Sequence, residues 1–183
     1  MSRICELVGD IGSDEPELVF THGDKEMGDE EEKFYSVPFH IYSAVIPLLV
    51  SEHHLEMIQP GHAIVKGALM SLYKKKNLPR FYFNANSIAR VEPDVQATNT
   101  VSFIGTITKI RPITTDNAGR DVFTVTISDI SPLGEASILF IAFRSEMARK
   151  YKNLALHQKI CGEGYLKPYR STYEVYANSI QIL

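Results

Sequence analysis

The chain contains no tryptophan and only two cysteines in 183 residues. Cys5 and Cys161 lie far apart, so they cannot supply the closely spaced ligands of a structural zinc site. His53 and His54 are adjacent rather than one helical turn apart, so they read as surface residues and not as a metal pair. No metal and no cofactor are expected. Two thiols without a pairing pattern fit a reduced, cytoplasmic setting with both buried. There is no apolar run long enough to span a membrane, and Arg3, Glu6 and Asp10 interrupt the first segment where a signal sequence would be apolar. Strong charge of one sign is also missing, since the net charge is −3. That small value hides an asymmetry. Residues 1–93 hold nine Lys and Arg against fourteen Asp and Glu, whereas residues 94–183 hold ten against eight. Much of the acidic excess is one run, Asp24–Glu32, which reads as a solvated loop tip. Metal-assisted phosphodiester hydrolysis needs carboxylates clustered in a pocket with an arginine. The acidic residues here gather in that one run and do not recur at equivalent strand positions, so no catalytic residues are expected.

What the sequence does have is a repeat. Ala85-Asn86-Ser87-Ile88 recurs as Ala177-Asn178-Ser179-Ile180, 92 residues later. Upstream of each copy is an apolar segment around a glycine, Val65-Lys66-Gly67-Ala68-Leu69 and Gly162-Glu163-Gly164-Tyr165-Leu166, with five extra residues between glycine and motif in the first copy. Phe34-Tyr35-Ser36-Val37 answers Val122-Phe123-Thr124-Val125, and Val8-Gly9-Asp10-Ile11 answers Ile104-Gly105-Thr106-Ile107. Blocks in one order at nearly one offset indicate two copies of one domain. The expected division is 1–92, a polar linker at 93–98, and 99–183.

Strand signals fill both copies. In the first they cover 4–11, 34–43, 44–50, 62–72 and 80–91, with a long polar loop over 12–32 and a short helical turn opening at Ser51. Pro38 points to an edge or a bulge. In the second they cover 100–110, 121–129, 137–143, 159–168 and 172–183, with a short helix over 145–151. Asp116-Asn117-Ala118-Gly119 has hairpin-turn chemistry. Phe123, Val125 and Ile127 fall on one face. Each copy is therefore strand-strand-strand-helix-strand-strand. The expected fold class is all-β with short helices, as two tandem five-stranded oligonucleotide-binding (OB) Greek-key barrels.

Asn99 to Gly105, the turn Asn117-Ala118-Gly119, Val122 to Val125, Ile141-Ala142-Phe143 before a short helix, Glu163-Gly164-Tyr165-Leu166, and the closing Tyr173 to Leu183 follow one another in that order. In this order residues 99–183 resemble the bacterial single-stranded-DNA-binding protein family. The first copy joins through Leu7-Val8-Gly9, Val65 to Leu69 and the repeated motif. The resemblance implies sequence-tolerant binding of single-stranded DNA in replication, recombination or repair. It also implies barrels working in sets of four, hence a homodimer. The residue chemistry itself would serve RNA as well. A second reading is an interaction module on the same fold, a primosomal or replisomal accessory protein with weak nucleic-acid binding. The family's acidic tail has no counterpart after Leu183, so recruitment of partners through a tail is not expected.

Single-strand binding needs cations along the phosphates and flat side chains for the bases, and Tyr or Phe can replace Trp. The resemblance puts a stacking phenylalanine at Phe143. Tyr165, Tyr169 and Tyr173 lie on or beside the loop joining the last two strands. Lys109, Arg111, Arg120, Arg144, Lys167 and Arg170 are the candidate phosphate contacts. In the first copy, Tyr73, Lys74, Lys75, Lys76 and Arg80 are the one basic–aromatic cluster. The lean of positive charge to the second half assigns most polyanion contact to that copy.

Overall fold

The computed structural model describes residues 5–23, 30–56, 58–72, 80–130, 136–169 and 172–183. The first copy runs β1 (Cys5–Ile11), β2 (Glu17–His22), β3 (Glu32–Ile41), β4 (Ala44–Ser51), α1 (Glu52–Leu55), β5 (Gly61–Leu72) and β6 (Arg80–Arg90). The second runs β7 (Thr98–Thr115), β8 (Asp121–Ile130), β9 (Ala136–Arg144), α2 (Glu146–Lys150), β10 (Lys159–Tyr169) and β11 (Thr172–Ile182).

In the second copy the strand order is β10-β11-β9-β8-β7, and β10 also pairs with β7, so the sheet closes on itself. β11 joins β9 in parallel, while its partner β10 is antiparallel. The first copy repeats the pattern as β1-β5-β6-β4-β3, with a β1–β3 pairing that closes the ring and a parallel β4–β6 pair. Both copies are thus five-stranded closed sheets of OB connectivity, as expected from the element order.

Alternation fills each barrel. Phe123, Val125 and Ile127 of β8 point inward with Leu139, Ile141 and Phe143 of β9, and all are buried. In the first copy Phe39, Ile41, Ile46, Leu48, Val65 and Phe83 are buried in the same way.

Three local features depart from the expected plan. The polar stretch 12–32 contains β2, antiparallel to β3 from Glu17 opposite Ser36 to His22 opposite Glu32. Its Leu18-Val19-Phe20 has the β-branched and aromatic character of a strand, and Phe20 stacks on Phe34 at 4.9 Å. Pro38 marks neither an edge nor a bulge, since it lies within the β3–β4 ladder directly opposite Pro47. Neither ring has an N–H to lose at that pair. β7 runs on to Thr115, with register shifts at Ile107/Lys109 and Arg111/Thr114 that let a long strand bend.

The repeated motif marks a bulge. Between β10 and β11 the register shifts so that Glu163 faces Ser179 while Gly164 faces Ala177, which leaves Asn178 without a cross-strand partner. A bulge bends the strand where a small barrel must turn a corner. The nearby glycine is required by close approach. A Cβ on Gly164 would collide with the Tyr176 carbonyl oxygen, and one on Gly67 with that of Asn84, in each copy the residue just before the motif.

The compact units do not coincide with the two copies. One comprises residues 6–68 and 82–99, the other 1–5, 69–81 and 100–183. The ends of β5 and β6 nearest their connection therefore group with the second barrel. Within that unit the Ser71 N–H donates to Ser137 Oγ (3.1 Å), the Ile138 N–H donates to Ser71 Oγ (2.7 Å), and Phe81 lies against Phe140 (6.3 Å between ring centroids). Cys5 and Cys161 are buried and form no disulfide. Burial pushes the Cys5 thiol up from its ordinary value.

Residues 93–98 are tied down within the first unit. His62 bonds Asp10 Oδ1 through Nδ1 (2.9 Å) and the Val95 carbonyl through Nε2 (2.7 Å). Tyr42, at φ 51° in the β3–β4 turn, donates its hydroxyl to the Ala97 carbonyl at 2.6 Å. Both acceptors of His62 favour a ring that donates from both nitrogens, and the Asp10 carboxylate, more than the carbonyl, raises its pKa above the ordinary 6.5. A raised folded-state value means the contribution is complete below 6.5 and is lost as pH rises through the raised value. NMR titration of the His62 ring is expected to give a midpoint above 6.5, with Asp10→Asn bringing it down. A midpoint at or below the ordinary value would show the clasp is not charged.

Candidate nucleic-acid interface

Residues paired directly across neighbouring strands project to the same side of a sheet. The second barrel's register therefore defines its outer wall. On β7, Lys109 faces Thr126 and Arg111 faces Thr124 of β8. Those threonines face Phe140 and Ala142 of β9, and Arg144 faces Val122. Ala142 pairs with Tyr176 of β11. Tyr176 faces Tyr165, and Glu174 faces Lys167, on β10. Four strands thus present Lys109, Arg111, Phe140, Arg144, Tyr176, Tyr165 and Lys167 on one surface, joined through Thr124 and Thr126 of β8 and opposite the face that forms the core.

The centre of the wall is a packed group around Tyr176. The Tyr165 ring stacks on Tyr176 with centroids 5.6 Å apart and planes 17° from parallel. The Arg144 guanidinium carbon sits 3.9 Å from the Tyr176 ring centroid, and Arg144 Nη2 donates to the Tyr176 hydroxyl at 2.6 Å. Lys167 Nζ is 5.2 Å from the same ring. Burial, and then a hydrogen bond to the Glu174 carboxylate, push Tyr176 up to about 12. Its hydroxyl stays protonated, donating to Glu174 while accepting from Arg144. A second group lies across the wall, where Arg111 stands 6.0 Å over the Phe140 ring. Cations over aromatic faces are attracted by the ring quadrupole, so the pairs hold positive charge beside the rings.

Asp116 organises the β7–β8 turn. Its Oδ1 accepts from the N–H groups of Ala118 (2.9 Å) and Arg120 (3.0 Å), and its Oδ2 pairs with the Arg120 guanidinium (2.9 Å). These contacts, the Arg120 backbone N–H first, pull its carboxyl down to about 2. Arg144 reaches the same carboxylate at 4.0 Å. Gly119 follows at φ 73°, so the expected hairpin turn is present.

The wall brings together Lys109, Arg111, Arg144, Tyr165 and Lys167 of the sequence-expected residues. Tyr169 is half-buried on the same face, opposite Thr172. Tyr173 is on the core side with Leu166 and Val175, and burial raises its phenol. Arg120 belongs to the turn. Arg80 is exposed at the start of β6. Phe143 requires correction. It is fully buried, packed on Phe123 (5.8 Å) and Tyr151 (5.6 Å), with no ring face open to a base. The alternation along β9 gives the outer face to Phe140, Ala142 and Arg144 instead. Arg170, Tyr73, Lys74, Lys75 and Lys76 lie outside the described residues. Tyr176 and Phe140 are the wall residues that sequence reasoning missed. The signal for Tyr176 was its place directly before the second copy of the repeated motif. Among the described residues no group of three or more His, Cys, Asp or Glu could hold a metal ion, and no helix is long and apolar enough to cross a membrane.

No family profile and no curated protein matches the sequence. Solved structures do match. The wild-type single-stranded DNA binding protein from Thermus aquaticus superposes with a TM-score of 0.72 at 15% identity, over 98% of this chain and 91% of that one. A deletion mutant of the same protein gives 0.70 at 16% identity, over 98% and 93%. The chain thus has, over almost its whole length, the fold of a single-stranded-DNA-binding protein with two OB folds.

Proposed function

We propose that the chain binds single-stranded nucleic acid without sequence preference, through the outer wall of its second barrel. One observation carries this reading: cations and aromatic rings alternate across that wall and not across its counterpart. By strand register Arg144, opposite Val122, corresponds to Ser51, opposite Phe34, and by the repeat offsets Tyr165, Lys167 and Tyr176 correspond to Ala68, Met70 and Asn84, all four uncharged and buried. Stacking supplies sequence-tolerant affinity because every base has a flat face, and the cations answer the phosphates. The likeness of fold to a DNA-binding protein supports DNA as the strand, in replication, recombination or repair. On this reading the domains are 1–92 and 99–183, joined by 93–98. The chain is a cytoplasmic homodimer presenting four barrels, with no catalytic role.

Fluorescence anisotropy with labelled oligo-dT, at two salt concentrations and with duplex as control, tests the proposal. Binding of the single strand should be tighter than that of duplex and should weaken as salt rises. Arg111→Gln should weaken it uniformly and flatten the salt dependence, because one phosphate contact is removed. An intact oligomer that binds neither strand would overturn the proposal and leave an interaction module.

A further inference from the structure

Within the proposed wall, the group around Tyr176 has a direction. Arg144 reaches the ring from β9 on one side, and Tyr165 stacks on it from β10 on the other. Tyr176 is 7% exposed, so it has no face left for a ligand, whereas Tyr165 is 37% exposed. We infer that Tyr165 is the base-stacking position of the second barrel, and that Tyr176 and Arg144 are positioning residues that hold its ring flat behind the base. The order across the site is guanidinium, buried ring, exposed ring, nucleobase. This rests on the reading of the wall as a single-strand interface.

The chemistry follows from the two rings' surroundings. Tyr176 is fixed by its hydroxyl, which accepts from Arg144 at 2.6 Å and is also hydrogen-bonded to the Glu174 carboxylate. A fixed ring behind Tyr165 restricts the freedom it would lose when a base stacks on it, so less entropy opposes binding. Lys167 Nζ, 5.2 Å from the Tyr176 ring, lies on the same face beside the open ring, where a phosphate next to the stacked base would pass. The ligand class is an unpaired nucleotide with its own phosphate. A paired base keeps both faces covered by its neighbours in the duplex and cannot enter. A tyrosine–arginine column thereby does the work for which a chain without tryptophan has no indole.

The test compares two labelled strands of equal length and charge, oligo-dT and its abasic counterpart, against the full chain and its variants Tyr165→Leu and Tyr165→Phe. The native chain should favour oligo-dT. Tyr165→Leu should lose about 5- to 100-fold for oligo-dT with little change for the abasic strand. Tyr165→Phe should stay near native. Arg144→Gln should lower the preference for oligo-dT and also return Tyr176 ring signals to motional averaging by NMR. If Tyr165→Leu leaves the ratio of the two affinities unchanged while single-strand binding persists, the column is overturned and the interface reading stands. If the native chain binds neither strand, both fall.

Discussion

Phe143→Ala will destabilise the protein by about 3–5 kcal/mol, the cost of emptying a buried phenylalanine site. The side chain is fully enclosed, between Phe123 on β8 and Tyr151 just after α2. Neither neighbour can collapse freely, because one is set in a sheet ladder and the other closes the turn after a helix. In a chain of this size the loss should lower the melting temperature by roughly 10 °C. The measurement also separates two roles for this residue. A base-stacking phenylalanine would be open to solvent, and its removal would cut oligo-dT affinity with little change in melting. Here the change should appear in the melt, and Phe143→Leu should restore most of it. A melting temperature within about 1 °C of native for Phe143→Ala would contradict the core placement.

Gly164→Ala comes next in size. The new methyl would meet the Tyr176 carbonyl oxygen and the Val175 side chain. A backbone carbonyl held in a ladder cannot step aside as a flexible side chain can. Overpacking of this kind costs about 1–3 kcal/mol and sometimes more, and the upper end applies where the obstacle is backbone. Gly67→Ala should behave alike, since its Cβ would meet the Asn84 carbonyl oxygen. Gly119→Ala is the control. Nothing lies within 4 Å of its Cβ, so the only cost is its φ of 73°, about 1 kcal/mol. Denaturant unfolding of the three variants should place the two strand glycines well beyond the turn glycine. If Gly164→Ala falls within the loss seen at Gly119, the close approach does not constrain the barrel.

These variants also mark what could be read in the sequence. Barrel order was legible because the same blocks recur in the same sequence, and because strands such as Phe123–Ile127 alternate strictly. The glycines and the repeated motif were legible as a pattern, but their cause was not. A bulge at Asn178 is a matter of register between two strands, and a single strand carries no record of its partner's phase. The wall was half legible. Lys109, Arg111, Arg144, Tyr165 and Lys167 were marked by residue type. Phe143 and Phe140 have the same composition and neighbours of the same character, so either could have faced the core. Only the pairing of β9 with β8 and β11 decides between them. Tyr176 escaped because a tyrosine between Val175 and Ala177 looks like core filling. β2 escaped because its six residues sit between acidic stretches that dominate any reading of composition.

Two barrels on one polypeptide are freed from a rule that binds identical subunits. In an assembly of single-barrel chains, every substitution appears on all copies at once, so a face needed on one must be kept on every one. Here a change at Ser51 or Asn84 leaves Arg144 and Tyr176 untouched. The glycine-on-carbonyl contact has been kept in both halves, since each barrel must close. The wall cations Arg144 and Lys167 have uncharged counterparts, Ser51 and Met70, in the other half. The chain is in effect its own comparison series: what the halves share reports the demands of folding, and what they do not share is left free for the proposed binding.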